Sequence, residues 1–403
     1  MKIIHTSDWH IGQNFHNYSR DDEHRTAGAC LRDLVARERP DALLVSGDIF
    51  DVSNPTITAK DLWTKMMIDI CAACEDMVTV VIAGNHDSAA RLQVDAPLWR
   101  RLGVEIVTAP RLGEDGFPDP DAQIIDIRGK GYVMAVPYIP EYNYRRYAGC
   151  DEKAMETYHA RLFDRVAQLN TDGKPVVMMA HLGVTEHEAA RERTLRFSNC
   201  RLDDLNLGYD YLALGHIHHP YTFTDGRTRY CGSPLALSFD EPYQHTFSVV
   251  ELSEHGALPG ITEYPVDGLP QVITLPDEAL ELPDLEKYLA GLPDDCDDYL
   301  RVNLKVKSHI PSGARQAIEN ALRGKKYRFC YINPVREHQA AATGIRGIDT
   351  TEIRRMSPME IAERFYAAKY SGSVLPEDMK KCLAEAIDRY NSRLRHEDIE
   401  IDG

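Results

Sequence analysis

The chain has 403 residues, is 43% hydrophobic and carries a formal net charge of −17. That length suggests two or three domains with ample material for a core, and no run approaches the roughly 18 apolar residues of a membrane-spanning helix. Nine cysteines without a framework, and an N-terminus that enters a strand at once with no signal-peptide pattern, point to a reducing cytoplasm rather than a disulfide-bonded secreted fold.

Taken in order, Ile3-Ile4-His5-Thr6-Ser7 reads as a strand leading into Asp8-Trp9-His10-Ile11-Gly12. A helix is expected over 21–38, stopped by Pro40. The apolar run 42–45 is a buried strand that halts at the turn pair Ser46-Gly47, so Asp48 falls just past its C-terminal end, where open α/β sheets place ligands. A helix over 56–74 follows. It ends in Cys71-Ala72-Ala73-Cys74, a redox spacing without a thioredoxin-like context. A third strand, 78–83, leads to Gly84-Asn85-His86-Asp87. A helix over 90–101, a strand over 104–107, a loop over 111–120, short strands near 123–127 and 132–136, and a helix over 152–169 come next. The strand at 176–180 then ends in His181. A charged insertion over 186–199 carries Arg191, Arg193 and Arg196, as a solvated loop or as a phosphate-contacting one. The strand at 211–214 ends in Gly215-His216-Ile217-His218, and the pattern from 230 to 266 is β again. Alternating strands and helices indicate an α/β domain.

Beyond a boundary near 269–276 the charge is uneven. From 276 to 300 there are nine acidic residues and one basic; from 301 to 336 there are nine basic and one acidic. The acidic total argues against nucleic acid, because phosphate backbones favour basic surfaces, but so polarised a segment makes the global sum a poor measure. Strands at 299–306 and 327–332 with a helix over 312–323 form a unit too small for a core of its own. In the tail, Ser357-Pro358-Met359-Glu360 is a capping box, and Met379, Leu383, Ile387, Tyr390 and Leu394 keep helical spacing.

Five strand-like runs thus end in metal-capable side chains. A single Gly-Asp or loop histidine is more often a solvated or satisfied side chain than a ligand. The joint pattern Asp-x-His, Gly-Asp, Gly-Asn-His and Gly-His-x-His, in that order, reverses this. If the strands share a sandwich, carboxylates, imidazoles and an amide oxygen converge on one surface, a mixed set that suits manganese, iron or zinc. Two metals need a shared carboxylate, and Asp48 is placed for that.

Those motifs resemble the calcineurin-like metallophosphoesterases, which fold as a sandwich of two mixed β-sheets flanked by helices. Thr6-Ser7-Asp8-Trp9-His10-Ile11-Gly12, Tyr230-Cys231-Gly232-Ser233-Pro234, Ser238-Phe239-Asp240-Glu241 and a small basic unit after the catalytic domain look like the SbcD family, bacterial nuclease subunits that work with the SMC-like ATPase SbcC in double-strand-break repair. The resemblance implies three parts: a metallophosphoesterase domain over 1–270, a DNA-binding α+β capping domain over 271–340, and a linker with C-terminal helices over 341–403 that dock on the ATPase. It implies one metal held by Asp8, His10, Asp48 and His218, and another by Asp48, Asn85, His181 and His216. It makes His86 catalytic, with Asp51 as its carboxylate partner where archaeal and eukaryotic relatives have a second histidine. The implied chemistry is Mn²⁺-dependent, two-metal hydrolysis of DNA. It comprises 3′-to-5′ exonuclease activity on duplex ends and endonuclease activity on hairpins and single strands, by a homodimer within a heterotetramer in the cytoplasm. A stand-alone phosphoesterase acting on a phosphoprotein or small ester would share every ligand, and a degenerate, non-enzymatic scaffold would lack some of them.

Overall fold

The computed structural model describes residues 1–149, 153–185, 198–201, 208–336, 359, 362–363, 366–367, 375–377 and 379–383. Two compact units emerge. One comprises Met1–Leu275, Pro293–Val302 and Leu322–Tyr331; the other comprises Pro276–Leu292, Asn303–Ala321 and the described residues from Ile332 on. The segment 271–340, expected as one cap, is therefore shared between the two. Arg191, Arg193, Arg196, the capping box at Ser357 and most of the tail lie outside the described residues.

The first unit is built on two six-stranded sheets. In one, the strands run side by side in the order Gly260–Pro265, Thr246–Glu251, Lys2–Thr6, Ala42–Ser46, Val78–Ile82, Val104–Val107; in the other, Tyr221–Thr222, Thr228–Tyr230, Tyr211–Gly215, Val176–His181, Tyr132–Val136, Ile124–Asp126. Both sheets are mixed. Lys2–Thr6 is parallel to Ala42–Ser46 and antiparallel to Thr246–Glu251. Tyr132–Val136, Val176–His181, Tyr211–Gly215 and Thr228–Tyr230 are mutually parallel. These central strands are apolar throughout because both faces are covered. With a side-chain period of two, Ala42 and Leu44 point into the layer between the sheets, where they meet Val80, Val133, Val177, Met179 and Tyr211. Leu43 and Val45 point the other way, toward Leu31, Leu34, Trp63 and Met67 of the helices Asp21–Glu38 and Ile57–Ala73. The second sheet is covered by Glu141–Ala148 and Ala154–Leu169 through Tyr144, Tyr158, Leu162 and Val166. The result is the expected two-sheet sandwich flanked by helices.

Local chemistry sets the element ends. Thr56 caps Ile57–Ala73, its side chain accepting from the Ala59 N–H at 3.1 Å. The helix Asp21–Glu38 ends where Arg39 turns left-handed, ahead of Pro40. Cys71 and Cys74 are both free. A third sheet aligns Val272–Leu280, Tyr299–Val306 and Arg328–Arg336, and in the second unit Leu285 and Leu289 of Leu282–Ala290, and Ala314 and Ile318 of Ala314–Ala321, are buried. The charge polarity here is largely consumed internally. Lys325 pairs with Asp294 at 2.8 Å, Lys326 with Asp295 at 3.0 Å, Arg328 with Glu23 at 2.6 Å, Arg301 with Asp240 at 3.4 Å and Arg315 with Glu319 at 2.9 Å. Five of the nine basic side chains thus face carboxylates. No helix among the described residues is long and apolar enough to cross a membrane.

Candidate metal centre

All parallel strands of the sandwich point their C-terminal ends the same way, and that rim carries every residue singled out by the motifs. Asp8 follows Lys2–Thr6, Asp48 follows Ala42–Ser46, Asn85 follows Val78–Ile82, His181 ends its own strand, and His216 follows Tyr211–Gly215. The backbone there is tightly bent. Asp8, His10, Asp48 and His216 all have positive φ, at 52°, 47°, 48° and 95°, a conformation that costs non-glycine residues energy and clusters at functional sites. Loop-to-loop bonds hold it, from Asp8 N–H to Gly47 O and from His10 N–H to Asp48 O, both 3.0 Å. The glycines of the motifs are there for closeness. A Cβ on Gly84 would stand 2.1 Å from Asp48 Oδ1, and one on Gly215 would stand 1.9 Å from the Ser46 carbonyl oxygen.

The side chains form one connected constellation. Asp8, His10 and His218 offer ligand atoms within 4.8 Å of one another; so do His10, Asp48 and His86, and so do Asp8, Asp48 and His181. Asn85 Oδ1 lies 3.0 Å from His181 Nε2 and 2.9 Å from His216 Nδ1. The Asp51 carboxylate is 3.3 Å from His10 Nδ1. A cleft of about 450 Å³ lined by Asp48, Asn85, His86, His216, His218 and Glu241 opens above them.

The electrostatics follow from crowding these groups at low exposure. Asp8, His10, Asp48 and His181 are all buried. Burial alone would raise the Asp48 carboxyl, but the neighbouring His181 and His10 hold it well below the usual range. Burial opposes the charged form of His181, and the adjacent Asp48 outweighs it, pushing the ring up to about 9. Burial, with the positive His181 nearby, lowers His216 to about 4. Both ring nitrogens of buried His10 lack a hydrogen-bond partner. Buried polar atoms are normally satisfied, so an orphaned imidazole facing two carboxylates fits a cation between them. The donor set of carboxylates, imidazoles and one amide oxygen suits a divalent transition metal.

Supporting contacts fix the first layer. His181 Nδ1 donates to the Ser46 carbonyl at 2.8 Å, leaving Nε2 toward Asp48 and Asn85. His86 Nδ1 donates to the Asp51 backbone carbonyl at 2.7 Å. The Asp51 carboxylate, expected beside His86, instead sits against His10, because the turn after Asp48 presents its carbonyl, not its side chain, to His86.

Residues 1–220 match the calcineurin-like phosphoesterase family, and residues 272–370 match a domain described as the type 5 capsule protein repressor C-terminal domain. Among curated proteins, the chain is 32% identical over 313 residues to the SbcD subunit of the SbcCD nuclease from Rhodobacter capsulatus, covering 70% of this chain and 77% of that one. It is 25% identical over 416 residues to the Bacillus subtilis SbcD protein, covering 96% and 97%. The corresponding Escherichia coli K12 protein is 31% identical over 257 residues, covering 60% and 62%. The chain belongs to the SbcD family of calcineurin-like phosphoesterases. It is accordingly a metal-binding hydrolase of phosphodiester bonds.

Two residues that matter to this SbcD-type site sit inside quoted motifs but have no role assigned there. The Asp87 carboxylate accepts from the backbone N–H groups of Gly84, Ile49 and Phe50 at 2.9, 3.1 and 3.0 Å, tying the Asp48 loop to the Asn85 loop. Its place after Gly84-Asn85-His86 was the available signal. Glu241 reaches His218 Nδ1 at 3.5 Å while accepting from Leu237 N–H at 2.9 Å, and the Tyr243 hydroxyl donates to the His218 carbonyl at 3.0 Å. Burial disfavours the charged His218 ring, and Glu241, Asp8 and Asp48 together outweigh this and raise it. No local sequence pattern links residues so far apart in the chain.

Proposed function

We propose that the protein is a Mn²⁺-dependent DNA nuclease working with an SbcC-like SMC-family ATPase in DNA repair and recombination. Its activities are 3′-to-5′ exonuclease on duplex ends and endonuclease on hairpins and single strands, in a homodimer within a heterotetramer in the cytoplasm. The observation that carries the reading is that the buried Asp48 carboxylate lies between the two sets, 3.6 Å from His10 Nε2 and 3.3 Å from His181 Nε2, the position of a carboxylate shared by two ions. Asp8, His10, Asp48 and His218 would hold one; Asp48, Asn85, His181 and His216 the other. When bound, the metals supply Lewis acidity toward the phosphoryl oxygens and an activated water nucleophile.

The chain's own residues do the rest. His86 donates through Nδ1 to the Asp51 carbonyl, so its Nε2 is the nitrogen left to face a substrate. It protonates the leaving 3′ oxygen, which is general acid catalysis. The Asp51 carboxylate steadies His10, and Glu241 steadies His218. The segment over 271–340 is read as the DNA-binding cap. Because Lys325 and Lys326 are already paired with Asp294 and Asp295, its phosphate contacts come from other side chains. The helices over 341–403 are read as the docking element for the ATPase, a helix-in-groove mode.

The test is cleavage of an end-labelled duplex and a DNA hairpin with Mn²⁺, against release of phosphate from a phosphopeptide. DNA cleavage with an inert phosphopeptide supports the nuclease; the reverse supports a stand-alone phosphoesterase.

A further inference from the structure

The turn Cys231-Gly232-Ser233, which follows the strand Thr228–Tyr230, has no part in the mechanism above, yet it reaches the metal centre at two points. The first runs through Ser7. The Ser7 hydroxyl donates to Asp8 Oδ2 at 2.5 Å, and its oxygen lies 3.1 Å from Cys231 Sγ and 3.4 Å from the Gly232 carbonyl oxygen. The second is His218, whose carbonyl accepts from the Ser233 N–H at 3.0 Å. Gly232 sits at a φ of 76°, and a Cβ there would stand 2.6 Å from that same carbonyl oxygen. Asp8 and His218 belong to one candidate ligand group with His10, so a single turn grips two of its three members.

Hydrogen counting fixes the direction of these bonds. Ser7 has one hydroxyl hydrogen, and Asp8 and Gly232 compete for it. The short bond to a carboxylate is charge-assisted and roughly twice as strong as a neutral one, so it wins over the 3.4 Å contact with a carbonyl. With that hydrogen spent, the Ser7 oxygen accepts, and the Cys231 S–H is the donor. Asp8 has two oxygens with about four acceptor positions. The His216 N–H spans both oxygens, at 3.0 and 3.1 Å, and Ser7 takes a further position on Oδ2. Two donors from separate strand ends thus pin the carboxylate, and only its remaining lone pairs are open to an ion. Ser7, Asp8, Cys231 and Ser233 are all buried, so the protein and not solvent supplies these bonds.

We infer that Ser7 is a positioning residue for the ion held by Asp8, His10 and His218, and that the Cys231–Ser233 turn sets the spacing of Asp8 and His218 around that ion. The inference rests on the two-ion reading. Ser7 touches neither metal nor substrate; it acts through Asp8. The other set is held from elsewhere, His181 by the Ser46 carbonyl at 2.8 Å, so the turn governs one ion and not both.

The experiment counts Mn²⁺ bound to the full chain by titration calorimetry and locates it by anomalous diffraction from crystals soaked at limiting Mn²⁺. Ser7→Ala is expected to weaken one of two sites by roughly 10–100-fold, the usual range for a lost partner of a ligating carboxylate. The peak beside Asp8 and His218 should vanish and the peak beside Asn85 and His181 should stay. Ser7→Thr, which keeps the hydroxyl, should restore the affinity. Gly232→Ala, which pushes a methyl against the His218 carbonyl, should remove the same peak as Ser7→Ala. Ser7→Ala with wild-type affinity, or with both sites weakened alike, overturns the inference; a folded Gly232→Ala chain that keeps both peaks overturns the part assigned to the turn. A wild type that holds a single ion refutes the two-ion reading instead, and the role of Ser7 then stands if Ser7→Ala weakens that ion and falls if it does not.

Discussion

Replacing His86 by Gln should leave the metal centre standing and remove most of the cleavage. The geometry sets the expectation. His86 is exposed at the cleft, its Nδ1 is committed to the Asp51 carbonyl at 2.7 Å, and its backbone N–H holds Asp48 Oδ1 at 2.8 Å. Gln keeps the backbone bond to Asp48, and its amide can reach the Asp51 carbonyl, but it cannot deliver a proton. A lost general acid costs roughly 10²–10⁴ in rate, or about 3–5 kcal/mol at 1.36 kcal/mol per factor of ten. The assay is single-turnover cleavage of an end-labelled duplex, with bound metal counted by elemental analysis on the same preparation. His86 also shares a candidate ligand group with His10 and Asp48, which gives the test its edge. Loss of a metal equivalent in the variant would make His86 a ligand and refute the assigned role; unchanged rate with full metal would remove it from catalysis.

Two further expectations concern the scaffold. Glu241→Gln should weaken metal binding by roughly 10–100-fold, the usual range for a carboxylate that orients a ligating histidine, with unchanged circular dichroism and thermal midpoint. Titration calorimetry with Mn²⁺ checks it, and unaltered affinity would make the Glu241–His218 contact incidental. Burial beside Tyr144 and Tyr158 lowers His159 to about 4. Its folded pKa lies below the unfolded 6.5, so the stability it contributes is present above pH 6.5 and is lost as pH falls toward 4, by about 2 kcal/mol at pH 5. Urea unfolding at pH 7.5 and pH 5 should show His159→Leu losing that much less than wild type between the two; identical losses would refute the attribution.

The legible part of this chain was its strand ends. Apolar runs that stop at glycine turns can be read locally, and Asp8, Asp48, Asn85, His181 and His216 each follow or close such a run, so their arrival on one rim follows from parallel topology. What stayed hidden depends on contacts distant in sequence. The pairing of Lys325 and Lys326 with Asp294 and Asp295 turns an apparent basic face into a largely neutralised one, and charge counting along the chain cannot show partners about 31 residues apart. That the Asp51 carboxylate meets His10 while its carbonyl meets His86 depends on how one turn is aimed. Glu241 reaches His218 only because the segment after Tyr230 folds back over the Gly215 loop.

The central claim is a pair of ions bridged by Asp48, and anomalous diffraction from crystals grown with Mn²⁺ tests it most directly. Two manganese peaks roughly 3.5–4 Å apart are expected. One should contact Asp8, His10 and His218, the other Asn85, His181 and His216, with Asp48 between them. A single peak, or two peaks that do not share Asp48, would contradict the account.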